Sequence, residues 1–545
     1  MFVSPPLSPA DEALRDANAA ARRGDLDAAR EAARHALDLD ASKLEAWFLL
    51  GNVALTANRF ADAEDAFTQG AARAPKDSPT QAQFIALRAR ALVNDGKARD
   101  AVTAIRAALH IGIHEPPGLV SAATILSQAG LESEALPLLE EAVRLAPDDA
   151  AAWFGLGGLQ QFFGDLKAAE ASFERAITTG ERTRNPVPMA PMSLARLRRW
   201  TKDDNHITRL EATQCRHSLD AACIAYALFK EYDDIGDRDA AWDALQHGSQ
   251  LGGAIDPWSP PEDEAIEAAW RQHFPLERFK ARDDRPRSGP GRIFVVGLPR
   301  SGTTLVERIL AAHSGVQALG ELKTFGLAVK WASGSTSPGL LDADTIAHAA
   351  KADPRDIAEI YTRETAYLHD GSAWTLDKLP GNHEYVGLIR LAFPDAIIVN
   401  VQRNPMDSLF GAYKLLFARA HRWSYTQDDL ANHYHAYLSL MTWWRQCLAE
   451  TPKPLIDVSL EAVIADPDAQ IRRLLDATGL PFEDACLRPH EASGAVATAS
   501  SSQVRSPINA EGVGVWRRYS AELEPLRHKL QGLGLVDQNG DPLTA

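Results

Sequence analysis

The stretch RIFVVGLPRSGTTLVERILAAH, residues 292–313, decides how the second half of the chain is read. Ile293–Val296 is an unbroken apolar run, as expected for a parallel strand buried on both faces. Leu305, Ile309 and Leu310 give the segment after it the apolar face of a helix. Between them lie Gly297, four residues, Gly302 and a hydroxyl pair, Thr303 and Thr304. A strand, a glycine loop and a helix in this order aim backbone N–H groups and a helix N-terminus at one anion. Where a nucleotide-hydrolysing loop carries lysine, this one has Thr303, and its only cation is Arg300. A kinase or hydrolase also needs a magnesium carboxylate at the end of a neighbouring strand. The next clear strand, Ala396–Val401, runs instead into Gln402 and Arg403. The spacing predicts a phosphate cradle for a donor handled without metal and carrying a further anionic group.

The rest of the composition narrows the field. The chain has 545 residues, 45% hydrophobic and 24% charged, with a formal net charge of −16. Such an acidic chain does not hold nucleic acid or an anionic membrane through its overall field, so an anionic ligand needs a local cluster of cations. Cys215, Cys223, Cys447 and Cys486 have neither zinc spacing nor the density of a disulfide framework, and reduced thiols are expected. The start, MFVSPPLSPADEALRD, lacks the basic and apolar regions of a signal peptide. No apolar run approaches roughly 18 residues, so no span is expected and the cytoplasm is the expected compartment.

Working toward the N-terminus, a small residue recurs at Ala29, Ala63, Ala101, Ala135 and Ala169, in steps of 34, 38, 34 and 34. Five residues before each stands a turn residue: Gly24, Asn58, Gly96, Gly130 and Gly164. Trp47, Leu50, Gly51, Ala63 and Phe67 recur at the same offsets as Trp153, Leu156, Gly157, Ala169 and Phe173. This pattern resembles the tetratricopeptide repeat, two antiparallel helices in about 34 residues, whose units stack because one alone cannot bury its face. A degenerate further unit centres on Gly236 and Ala241, and residues 183–218 hold two helices off the period. A repeat groove binds a peptide, serves dimerisation or braces a neighbouring domain; the sequence leaves all three open. Prolines at 257, 260 and 261 and the charged, Pro/Gly-rich RDDRPRSGPGR mark a linker over 256–291, with a short helix inside it. The expected domains are therefore repeats over 8–255, a linker, and a second domain over 292–540.

Within that second domain PRSGTT resembles the 5′-phosphosulfate loop of sulfotransferases that use 3′-phosphoadenosine 5′-phosphosulfate (PAPS). VQRNPMDSLFGAYKLLF resembles their 3′-phosphate segment. LGELKTF, WTLDKLPGN and TASSSQVRSPIN follow in the order found in bacterial sulfotransferases with N-terminal tetratricopeptide repeats, relatives of the protein-tyrosine sulfotransferases. The resemblance implies an all-α repeat solenoid followed by an α/β P-loop-like domain with a parallel sheet. It implies that Arg300, Ser301, Gly302, Thr303 and Thr304 hold the 5′-phosphate and sulfuryl group, that Arg403 holds the 3′-phosphate, and that Ser500 contacts the donor. It further implies that Lys378 meets the charge on the leaving oxygen and that Glu321 is the general base. The bland alternatives are a Lys378 paired to Asp377 and a Glu321 that caps a helix or pairs with Lys323. His383 is the second candidate base.

The sequence departs from the family in three places. The serine expected eight residues after Arg403 is Gly411, and Ser408, one helical turn earlier, is its candidate replacement. The tyrosine expected against the adenine is Leu460. In the protein-tyrosine branch the base sits second after the glycine, where this chain has Leu322. Arg505 and Arg517 add positive charge or form a solvated face, and Trp443 and Trp444 line an acceptor pocket or the core. The resulting expectation is sulfuryl transfer from PAPS, leaving adenosine 3′,5′-bisphosphate (PAP), to a hydroxyl of tyrosine, a sugar or a small metabolite, with no metal. The alternatives are a P-loop kinase or nucleotide hydrolase and a non-catalytic repeat scaffold.

Overall fold

The computed structural model describes residues 7–280, 289–492, 494–498 and 503–543. By compactness the chain divides into two units, Met1–Leu156 and Gly157–Ala545. The first is built of antiparallel helix pairs, beginning with Pro9–Arg22 and Leu26–Leu39, then Leu44–Thr56 and Phe60–Arg73. Ser8 caps the first helix by accepting the Asp11 amide, and a proline follows at the first helical position, where its missing N–H costs nothing. The recurring alanines Ala29, Ala63, Ala101 and Ala135 are fully buried, which lets paired helices approach closely. A Cβ on Gly51 would lie 2.4 Å from the ring of Phe67, so the glycine is the seat of that phenylalanine. Asn58 takes the left-handed turn at φ +55° that glycines take in the other repeats.

The same device opens the second unit, where a Cβ on Gly157 would lie 2.7 Å from the Phe173 ring. Two short helices, Ala190–Ala195 and Ile207–Ala212, break the period as expected. Ser218–Ile235 and Arg238–Gly253 then restore a pair around Gly236 and a fully buried Ala241. Within the stretch 256–291, Pro260–His273 is a helix whose buried Trp270 meets Trp444 edge-on at 5.2 Å.

The sheet has five parallel strands: β1 (Gly291–Gly297), β2 (Val316–Gly320), β3 (Trp374–Lys378), β4 (Ile397–Gln402) and β5 (Ile456–Ser459). Their spatial order is β2-β3-β1-β4-β5. Register places Val295 beside Lys378 on one side of β1 and Gly297 beside Val401 on the other. Side chains alternate along β1. Phe294 and Val296 enter the core shared with Phe325 and Tyr361, while Ile293 and Val295 enter the one shared with Val306, Ile309 and Leu310. The chain leaves β1 toward β2 and β3, then returns across it to β4. The connections part at the carboxyl end of β1, and such a switch point opens a crevice there. Among the described residues, no helix is long and apolar enough to cross a membrane.

Candidate functional site

The loop between β1 and the helix Thr303–Ala311 is shaped by two positive dihedrals, Arg300 at φ +69° and Gly302 at φ +99°. Glycine takes such a conformation freely; an arginine there is strained by about 1–2 kcal/mol and needs surroundings that hold it. Those surroundings are identifiable. Arg403 Nη1 donates to the Arg300 carbonyl at 2.8 Å, and Ser408 Oγ donates to the Pro299 carbonyl at 3.3 Å. The Ser301 and Leu305 amides donate to the carbonyls of Leu298 and Gly302, which leaves those of Thr303 and Thr304 without a backbone partner among the described residues. Ser301 Oγ is buried and makes no hydrogen bond among the described residues. A loop of unspent donors beside an arginine suits one compact anion.

On the far side of β1, strand alternation separates two neighbours that the sequence reads as a possible pair. Asp377 points to one face, where Tyr361 Oη donates to it at 3.0 Å, and burial pushes its carboxyl up to about 8. Lys378 points to the opposite face and is fully buried. Its ammonium contacts Glu321 Oε1 and lies 3.5 Å from Glu307 Oε2. Glu321 keeps 37% of its side chain exposed, so the pair sits at the mouth of the crevice rather than in the core. Glu307, one turn into the loop helix, was not singled out in the sequence; its place four residues after Thr303 puts it on the same helical face. Burial raises its carboxyl. His383 is elsewhere: Nδ1 lies 3.1 Å from the Pro380 carbonyl, its ring meets Tyr437 at 5.0 Å, and burial depresses it to about 3.

At the carboxyl end of β4 a second group of cations collects. Arg403 bridges the Arg300 carbonyl and that of Gly512, while its Nε is buried without a partner among the described residues. Burial, with repulsion from Arg196 and Arg403, lowers Arg300 to about 10. Burial also lowers Lys414 to about 8, with Arg300, Arg518 and Arg403 adding to the shift and Asp233 opposing it. Gly411 has a steric reason: a Cβ there would lie 3.1 Å from Arg300 Cβ. Leu460 packs on the loop, its Cδ1 2.6 Å from where a Gly302 Cβ would stand. Arg196 was missed because it lies among the off-period helices, where nothing in the repeat pattern marks a ligand. Ser500 lies outside the described residues. Arg505 donates to the carbonyls of Phe162 and Gly494, and Arg517 pairs with Asp541 at 3.1 Å, half exposed. Trp444 is core, and Trp443 lies under Arg271 at 4.9 Å. Among the described residues no cluster of three or more His, Cys, Asp or Glu is arranged for a metal.

Comparison with known proteins matches separate segments of the chain. Residues 290–484 match the sulfotransferase family, and residues 14–78 and 121–185 match the tetratricopeptide repeat. An uncharacterized protein of Aquifex aeolicus is 30% identical over 57% of this chain, which spans 41% of that protein's length. The protein-tyrosine sulfotransferase 1 of Danio rerio is 28% identical over 41% of this chain and 65% of its own. Among solved structures, a thermophilic tetratricopeptide protein of Thermus thermophilus is 20% identical, covering 32% of this chain and 96% of its own, at a TM-score of 0.28.

Proposed function

We propose that this chain, whose segments match the sulfotransferase family and the tetratricopeptide repeat, moves a sulfuryl group from PAPS to an acceptor hydroxyl. The single observation that carries the reading is the arrangement along the carboxyl edge of the sheet. The loop of β1 carries unspent donors, Arg403 after β4 touches that loop, and a buried Lys378 ends β3 on its other side. An orphaned Ser301 hydroxyl and an orphaned Arg403 Nε suit a ligand with two anionic ends. We assign the repeats to 8–255 and the catalytic domain to 292–540, with Ser500 as a further donor contact.

The chemistry assigns each residue one task. The loop amides, Ser301, Thr303, Thr304 and Arg300 orient the 5′-phosphate and the sulfuryl oxygens for an in-line displacement. The acceptor oxygen forms a bond to sulfur as the bond from sulfur to the bridging oxygen breaks. Glu321 takes the acceptor proton, a contribution of roughly 10²–10⁴ in rate. Lys378 neutralises the negative charge growing on the bridging oxygen as PAP leaves. Lys378 and Glu321 hold each other. A bound donor draws the ammonium toward its leaving oxygen and frees the carboxylate, so donor binds before acceptor. Tyrosine, a sugar and a small metabolite remain the acceptor classes to be tried, and a partner or acceptor peptide is the proposed occupant of the repeat groove.

Titration calorimetry with PAP against ADP, each with and without chelator, tests the donor class. A strong preference for PAP that survives chelation is expected. Equal binding, or turnover of ATP that requires magnesium, would refute the reading.

A further inference from the structure

The 3′-phosphate end of the site is incomplete by the family pattern, and the structure gives the reason. A Cβ at position 411 would stand 3.1 Å from Arg300 Cβ, so a serine there would press on the Arg300 side chain. Ser408 is spent on the Pro299 carbonyl. One turn beyond Gly411, on the same helical face, stands Lys414. Its ammonium lies over the Phe410 ring at 4.6 Å and has no carboxylate within ion-pair reach among the described residues. The guanidinium of Arg196, the residue that caps the short helix Ala190–Ala195, makes no hydrogen bond or ion pair among the described residues and is close enough to repel Arg300.

Four elements face Lys414 with charge. They are Arg300 from the loop, Arg403 after β4, Arg518 from the 3-10 helix Val515–Tyr519 and Asp233 from the helix Ser218–Ile235. Asp233 is already engaged by Arg518 at 3.3 Å and by Tyr519 Oη at 2.9 Å. Asp407, beside Arg403, accepts the amides of Gly514 and Trp516 at 2.6 and 3.2 Å. Glu461 accepts the Asn404 amide at 2.8 Å. The nearby carboxylates are thus committed, and the cations outnumber them. In a chain of net charge −16 such an excess needs an occupant.

We infer that Lys414 and Arg196, with Arg518 behind them, bind the 3′-phosphate of the donor together with Arg403, in place of the serine hydroxyl that position 411 lacks. The inference rests on the donor reading above and goes beyond it by naming residues that the family pattern does not. A phosphate dianion there neutralises the charges of Lys414 and Arg196, which meet no carboxylate in an ion pair among the described residues. It also raises the affinity of Lys414 for its proton, so PAP binding at about pH 8 takes up a proton.

The test compares PAP with 5′-AMP, which lacks only the 3′-phosphate, by calorimetry on the full chain. Wild type is expected to prefer PAP. Lys414→Ala and Arg196→Ala are each expected to shrink that preference by about tenfold or more, as for loss of a charge-assisted contact. Both should leave AMP affinity unchanged. Repeating the titration at pH 8 in buffers of different ionisation enthalpy should detect proton uptake with PAP in wild type, and none with AMP or in Lys414→Ala. If wild type prefers PAP but both variants keep the full preference, the inference is wrong and the donor reading stands. If wild type shows no preference, the donor reading itself fails. Should Lys414→Ala not fold, Arg196→Ala and proton uptake by wild type decide, and absence of both effects overturns the inference.

Discussion

Replacing Lys378 by alanine probes stability and catalysis through one atom. Its ammonium is fully buried, holds Glu321 and lies 3.5 Å from Glu307 Oε2. Burial raises the Glu307 carboxyl, and Lys378 is the main influence pulling it back. A carboxyl whose folded pKa stands above its unfolded value stabilises the fold most fully below the unfolded value. That stability is lost as pH rises through the folded value. Without the ammonium the folded value climbs further, at about 1.36 kcal/mol for each unit. The ceiling is the cost of breaking a buried pair, about 3–5 kcal/mol. Lys378→Ala is therefore expected to lie close to wild type at pH 5 and to lose about 3 kcal/mol at pH 8. Urea unfolding followed by tryptophan fluorescence at the two pH values measures this. Transfer of labelled sulfuryl from PAPS to a panel of tyrosine peptides, sugars and phenols should fall by about 10²–10³ in the same variant. Lys378→Ala/Glu307→Gln removes the stranded charge, so it should recover stability while leaving transfer abolished. The reasoning is refuted if the stability loss is the same at both pH values, or if transfer returns with stability.

Three further outcomes follow from single contacts. Arg403→Ala removes the guanidinium that holds the Arg300 carbonyl; calorimetry should find its preference for PAP over ADP gone, and a retained preference would move the 3′-site elsewhere. Gly411→Ala gains about 1 kcal/mol of helix propensity but brings a Cβ to 3.1 Å from Arg300 Cβ. Its melting temperature should therefore barely change while PAP affinity drops, and tighter PAP binding would contradict the steric argument. His383, held at about 3 by burial, is neutral through the working pH range. A histidine depressed in this way contributes stability that is present above its unfolded value and lost as pH falls toward the folded one. His383→Asn should thus lose less stability than wild type between about pH 6.5 and 4, with an unchanged pH–rate profile; a lost acid limb would instead make His383 the base.

What the sequence made legible follows from the range of each signal. The repeats are periodic and local, so the sequence alone shows the roles of Ala29, Gly51, Asn58 and Phe67. The strand–loop–helix around Gly297 is equally local. β2, β3 and β5 were not read as strands, because runs of four or five residues carry too little alternation to stand out. The partners of Lys378 were legible only in part. Its neighbour in sequence, Asp377, is separated from it by the sheet, while Glu307 and Glu321 reach it from 71 and 57 residues away. No single-sequence pattern encodes such pairings, since register is set by the whole sheet. Arg196 lies farther still from the loop and sits in a stretch defined only by its failure to repeat.

The departures at Gly411 and Leu460 read differently once their neighbours are known. Each is a small or apolar residue pressed against the phosphate loop: Gly411 against the Arg300 side chain and Leu460 against Gly302. Both therefore bear on the strained conformation of residues 300–302, which is where the anion donors are aimed. A serine at 411 would add one hydroxyl donor and push on the arginine that the site is built around. Glycine leaves that arginine in place and gives up the hydroxyl. A lysine one turn later then costs the fold a depressed pKa rather than a displaced loop. In that light a missing family residue is not by itself a sign of lost chemistry, and the scaffold alternative loses its main support.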